Sequence, residues 1–109
     1  MTKEVGEIVV LITTSGKEEA HKIAELLLNK RKAACVNIVP EVDSLFWGEG
    51  KLDEGRESLL IVKTRASLFP QIITLVKGVH SYEVPEIIAL PIISSNEDYL
   101  KWLNSTVEQ

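Results

Sequence analysis

Apolar positions change their spacing along the chain, and each change marks an element. In "EIVVLIT", residues 7–13, β-branched residues run almost without a break, which predicts a strand buried on both faces. From residue 15 the spacing becomes helical: Ala20, Ile23, Ala24 and Leu27 share one face of a helix predicted over 15–32. Ser15 and Glu18 have capping-box spacing at its start, and Lys30, Arg31 and Lys32 fall where a helix dipole is negative. "AACVNIVPEVDSLFWGEGK", 33–51, reads as a second strand whose Pro40 demands an edge or a bulge. The glycine- and acid-rich "WGEGKLDEG" reads as a turn, and "RESLLIVKTR", 56–65, as a third strand, so that 35–64 form a long hairpin. A second helix is predicted over 67–80, with Ser67 as N-cap, Pro70 in the first turn and Gly78 at the end. "EIIALPI", 86–92, is a fourth strand. Asn96 caps a last helix that carries Glu97 and Asp98 in its first turn and Tyr99, Trp102, Leu103 and Val107 on its apolar face.

The order β-α-β-β-α-β plus a terminal helix predicts an α+β, ferredoxin-like sandwich with two helices on one sheet face, formed by a single domain over 1–109. The run "LLIV" in the third strand does not alternate, so the second sheet face is expected to be apolar and to need a partner.

Composition narrows the function. A net charge of −4 argues against a nucleic-acid binder. Cys35 is the one cysteine, so no intramolecular disulfide forms and a cytoplasmic setting is expected. The N-terminal stretch lacks a positively charged segment and a cleavage site, so it reads as no signal peptide, and no apolar run approaches the ~20 residues that span a bilayer.

The chemistry-bearing residues gather in "HSYEVPE", 80–86. His80 is the candidate ligand for Cu²⁺ or Zn²⁺, with Glu83 beside it, because neutral imidazole suits both metals. His21 reads as a solvated helix position. Lys63, Tyr82 and Glu86 read as a polar network fixing hairpin and subunit geometry, in preference to an acid/base set. Trp47 and Trp102 read as aromatic anchors, and Cys35 as a small buried hydrophobe with a structural role. "GEGK", 48–51, lacks the spacing and the following helix of a phosphate loop.

Five segments, "AACVNIVP" at 33–40, "SLFWGEGK" at 44–51, "VKTR" at 62–65, "HSYEVPEIIALPI" at 80–92 and "YLKWL" at 99–103, resemble the CutA family of divalent-cation tolerance proteins in order and spacing. The resemblance implies the ferredoxin-like fold and a compact homotrimer in which long hairpins pair between subunits. It also implies a role in tolerance of divalent cations, copper among them, with no enzymatic activity and no organic cofactor. A metal or small effector would then sit in clefts between subunits, near Trp47, Lys63, Tyr82 and Glu86. The chain departs from the family pattern at Ser81, where a proline is usual, and at Gly48, where an aromatic is usual. Ile12 and Val79 stand where copper ligands have been placed, leaving His80 of that set. A rival reading is a structural or signalling trimer, similar to the nitrogen-signalling P-II proteins, that recruits a protein partner with metal incidental. An acylphosphatase-like enzyme ranks last, because "TTSGK" after the first strand offers no arginine to hold a phosphate.

Overall fold

The computed structural model describes residues 6–109. Residues 1–5, and with them part of the stretch expected to be no signal peptide, lie outside the described residues. The elements are β1 (Glu7–Thr14), α1 (Lys17–Asn29), β2 (Cys35–Gly48), β3 (Lys51–Arg65), α2 (Phe69–Lys77), β4 (Ile87–Pro91) and α3 (Glu97–Thr106). The strands form one antiparallel sheet in the order β2-β3-β1-β4, the expected ferredoxin-like arrangement. Among the described residues, no helix is long and apolar enough to cross a membrane.

One sheet face carries the core. Ile8, Val10 and Ile12 of β1 and Leu60 and Val62 of β3 pack with Ile23 and Leu27 of α1 and Ile72 and Val76 of α2. Each such side chain contributes about 1.5–3 kcal/mol by leaving water. Three hydroxyls on this face are also buried, and each donates to a backbone carbonyl: Thr14 to Gly16 (2.9 Å), Ser58 to Pro40 (2.6 Å) and Thr64 to Lys32. Each hydroxyl satisfies a carbonyl where the chain leaves regular pairing.

The continuous apolar run of β1 does not mean burial on both faces. Its residues alternate between buried and half-buried, because the helices cover one side only. Val9 and Leu11 point to the other side with Leu59 and Ile61 of β3 and Ile88 and Leu90 of β4. There Ile88 is 48% and Leu90 50% exposed, so the expected apolar second face lies open in the single chain. α3 docks at one end of the sheet through Leu103 and Val107, which cluster with Ala34 and Leu68, while the Asn104 amide donates to Glu7 at 3.2 Å. Tyr99 and Trp102, expected on the packed face, are partly exposed and lie against each other with ring centres 5.5 Å apart.

Several boundaries differ from the sequence reading. The hairpin turn is only Glu49 and Gly50, at φ 51° and 80°, with Gly48 paired to Lys51. Two consecutive positive φ values match the twist of the flanking strands, so both strands run to the turn. Pro40 does sit in a bulge, where the pairing shifts between Val39 and Val42 of the edge strand β2. α1 stops at Asn29, and no capping box forms: the Ser15 N–H and hydroxyl donate to Glu19, at 3.0 and 3.1 Å, rather than engaging Glu18. The helix ends with Lys32 N–H on the Leu27 carbonyl and Arg31 N–H on that of Leu28, around Arg31 at φ 59°. This is a Schellman motif with arginine where glycine is usual, which hides the stop from a sequence reading. The basic residues therefore act beyond the dipole: Arg31 donates to the Thr106 carbonyl and Lys32 pairs with Glu108, tying down the C-terminus. Ser67 caps nothing; it lies in a 3-10 turn, Ala66–Leu68, that feeds α2, while Pro70 does occupy the first turn.

Candidate functional site

The segment from His80 to Glu86 joins α2 to β4 and is held on two sides. The His80 side chain is fully buried, 0% exposed, and not at a reachable loop end. Its Nδ1 accepts the Tyr82 N–H at 3.0 Å, so its Nε2 carries the proton and donates to the Thr13 carbonyl at 2.8 Å. Both ring nitrogens are thus engaged within the chain. Beside the ring, Glu19 of α1 accepts the Ser81 N–H at 2.7 Å and the Ser81 hydroxyl at 3.0 Å, in addition to both Ser15 donors. Burial alone would raise the Glu19 pKa; the bonds from Ser15 and Ser81 outweigh it and hold the carboxyl below its usual value. The bond from the Ser81 N–H is one a proline could not make.

This clamp sets Tyr82 across to the hairpin. Its hydroxyl donates to Glu57 of β3 at 2.7 Å, and its ring lies 4.8 Å from that of His80. Burial, then the hydrogen bond and charge of Glu57, then the charge of Glu19 push the phenol up to about 12. Tyr82 is therefore a proton donor throughout the physiological range. Between the hairpin and residues 82–86 opens a cleft of about 760 Å³. Thr13, Phe46, Arg56, Glu57, Tyr82 and Glu86 are among its walls. Arg56 bridges Glu41 at 3.5 Å and Asp43 at 3.7 Å on the hairpin surface.

The structure divides the residues singled out in the sequence. Tyr82 and Glu86 share the cleft. Trp47 stands near the hairpin tip, paired with Leu52 and 78% exposed. Lys63 lies six residues along β3 from Glu57, roughly 20 Å away. It pairs across from Cys35, and its amino group reaches the Cys35 sulfur at 3.9 Å, so no bridge joins it to Glu86. Cys35 is half-buried rather than enclosed, and Glu83 and Glu86 are exposed. Ile12 is buried in the core, and Val79 faces solvent. Among the described residues, no three His, Cys, Asp or Glu side chains converge on a point that could hold a metal. His80 could ligate one only by surrendering a bond it already makes. The described donors of a single chain thus do not complete a metal centre by themselves. Sequence reasoning missed Glu57 and Glu19. Glu57 left a signal, as an acid at the entry of an apolar strand; Glu19, one of two acids in the first turn of α1, left none.

A family model described as CutA1 divalent ion tolerance protein matches residues 8–106. The divalent-cation tolerance protein CutA of Thermus thermophilus is 50% identical over 97 residues, which cover 89% of this chain and 94% of that protein. The chloroplastic protein CutA 1 of Oryza sativa is 49% identical over 105 residues, 95% of this chain. The match spans 59% of that plant protein's length. The crystal structure of CutA1 from Oryza sativa superposes with a TM-score of 0.93 at 45% identity, covering 96% of each chain.

Proposed function

The chain belongs to the CutA1 divalent ion tolerance family, and on that premise we propose that it serves tolerance of divalent cations, copper among them, by binding a metal ion or small effector in the cleft between the hairpin and residues 82–86. The observation that carries this reading is the Tyr82–Glu57 hydrogen bond inside that cleft, held from behind by His80 and Glu19. A clamp of polar groups around the buried His80 ring presents one phenol and one carboxylate to open space. The open apolar face beside the cleft supports a homotrimer in which neighbouring copies close the site. Any metal held there takes part of its donor set from those copies, since one chain supplies no three converging ligands among its described residues. A cytoplasmic setting belongs to the same reading, supported by the lone free cysteine.

The rival, a signalling trimer that recruits a protein, draws on the apolar hairpin tip, where Leu45, Trp47 and Leu52 are all exposed. Growth of a copper-sensitive bacterial host separates the two. Wild-type protein should protect. The double variant Glu57→Gln/Tyr82→Phe, made to the same level, should lose protection, while Trp47→Ser should keep it. Protection lost with Trp47→Ser and kept by the cleft variant would favour recruitment.

A further inference from the structure

A single proton would reverse the hydrogen-bonding sense of His80 at Nδ1. The neutral ring accepts the Tyr82 N–H there at 3.0 Å and donates from Nε2 to the Thr13 carbonyl at 2.8 Å. A second ring proton leaves the Nε2 bond as it is and turns Nδ1 into a donor. Two N–H groups then face each other, and the hold on Tyr82 fails. The new donor has a partner at hand, since Glu19 Oε1 lies 4.0 Å from Nδ1. That oxygen accepts from the Ser15 N–H, the Ser15 hydroxyl and the Ser81 hydroxyl, while Oε2 accepts from the Ser81 N–H. Four donors fix this carboxylate in place, so a charge to receive an imidazolium is already built beside the ring. Nδ1 thus has two mutually exclusive partners, one for each protonation state. Among the described residues, Glu19 of α1 and Tyr82 of the ring's own segment are the ionisable side chains in contact with it. From β1 it meets the Thr13 carbonyl, and Glu57 of β3 is reached through the Tyr82 hydroxyl. The ring is 0% exposed within one chain, so its environment is supplied by that chain.

We propose that His80 is a proton-operated latch: on acidification Nδ1 leaves the Tyr82 N–H for Glu19, and Tyr82 is freed from its fixed place against Glu57, slackening one wall of the cleft. The proposal rests on the cleft being the functional site for its consequence alone, a site well formed at neutral pH and loose in acid. Hydrogen bonds hold the Glu19 carboxyl below its usual 4.5, and Tyr82 keeps its proton up to about 12. Neither changes charge between about pH 8 and about pH 5, which leaves that interval to the imidazole.

NMR of the isotope-labelled chain across that interval, with no metal added, tests the latch. The His80 ring should carry its proton on Nε2 at the alkaline end. Ring and Tyr82 amide should then titrate with one shared midpoint, and protection of that amide from hydrogen exchange should fall about tenfold toward acid. His21, exposed on α1, serves as the reference whose midpoint the Tyr82 amide should not follow. In Glu19→Gln the His80 midpoint should move to lower pH by about half a unit or more, because a neutral amide holds an imidazolium less well. A His80 ring that keeps its alkaline signals to the end of the series overturns the proposal, as does one that titrates while the Tyr82 amide stays in place. A midpoint unmoved by Glu19→Gln overturns it too; if that variant does not fold, the wild-type titration decides. No readout here involves metal, so a failed latch leaves the tolerance reading standing. Copper protection unaffected by the cleft substitutions would sink that reading and leave the latch.

Discussion

His80 receives one hydrogen bond and makes another, to backbone groups 67 residues apart at one end and two at the other. Removing the ring leaves the Thr13 carbonyl and the Tyr82 N–H without partners in a buried place. Such unmet groups cost about 1–3 kcal/mol. His80→Ala should therefore lower the melting temperature by several degrees and change Zn²⁺ affinity little; unchanged stability with lost metal binding would restore the histidine as a ligand. Glu19 offers a second test through pH. Its folded pKa lies below the ordinary 4.5, so its ionised form contributes stability that is fully present above 4.5 and is lost as pH falls through the folded value. Glu19→Gln should be less stable than wild type at pH 7, and chemical denaturation should show the gap narrowing below pH 4.5. A gap that widens on acidification would mean that Glu19 does not hold the segment as a carboxylate.

The hairpin is the element on which the cleft depends, since it carries Phe46, Arg56 and Glu57. Its turn places a glutamate at φ 51°, a conformation asparagine adopts at lower cost. Glu49→Asn should stabilise the protein by a few tenths of a kcal/mol, whereas Gly50→Ala, at φ 80°, should destabilise it by about 1 kcal/mol in thermal melts. Element types and order were legible because the helices keep a period-3.6 apolar face and the strands stand out as β-branched runs between turn signals. The ends were not. The turn at 49–50 and the stop of α1 at Arg31 both put a charged residue in the left-handed region, where the usual glycine or asparagine signal is missing. Half of the site was legible for a similar reason. Tyr82 and Glu86 stand in a conspicuous local string, but Glu57 and Glu19 reach it from 25 and 62 residues away, pairings that only the folded chain creates.

At the scale of the molecule, the two faces of the sheet are unequal. One is sealed by α1 and α2 into a core. The other carries Val9, Leu11, Leu59 and Ile61 beside the exposed Ile88 and Leu90, with α3 at one end and the cleft toward the hairpin. A second open strip of apolar surface runs out along the hairpin tip at Leu45, Trp47 and Leu52. Continuous apolar surface of this kind associates in water, and the account depends on copies of the chain covering it and completing the cleft. Light scattering on a sizing column, repeated from high to low micromolar protein, tests that claim most directly. A trimer should give a constant mass about three times the 12.1 kDa of one chain; a mass that stays at 12.1 kDa across the series would mean that copies of the chain do not cover this surface.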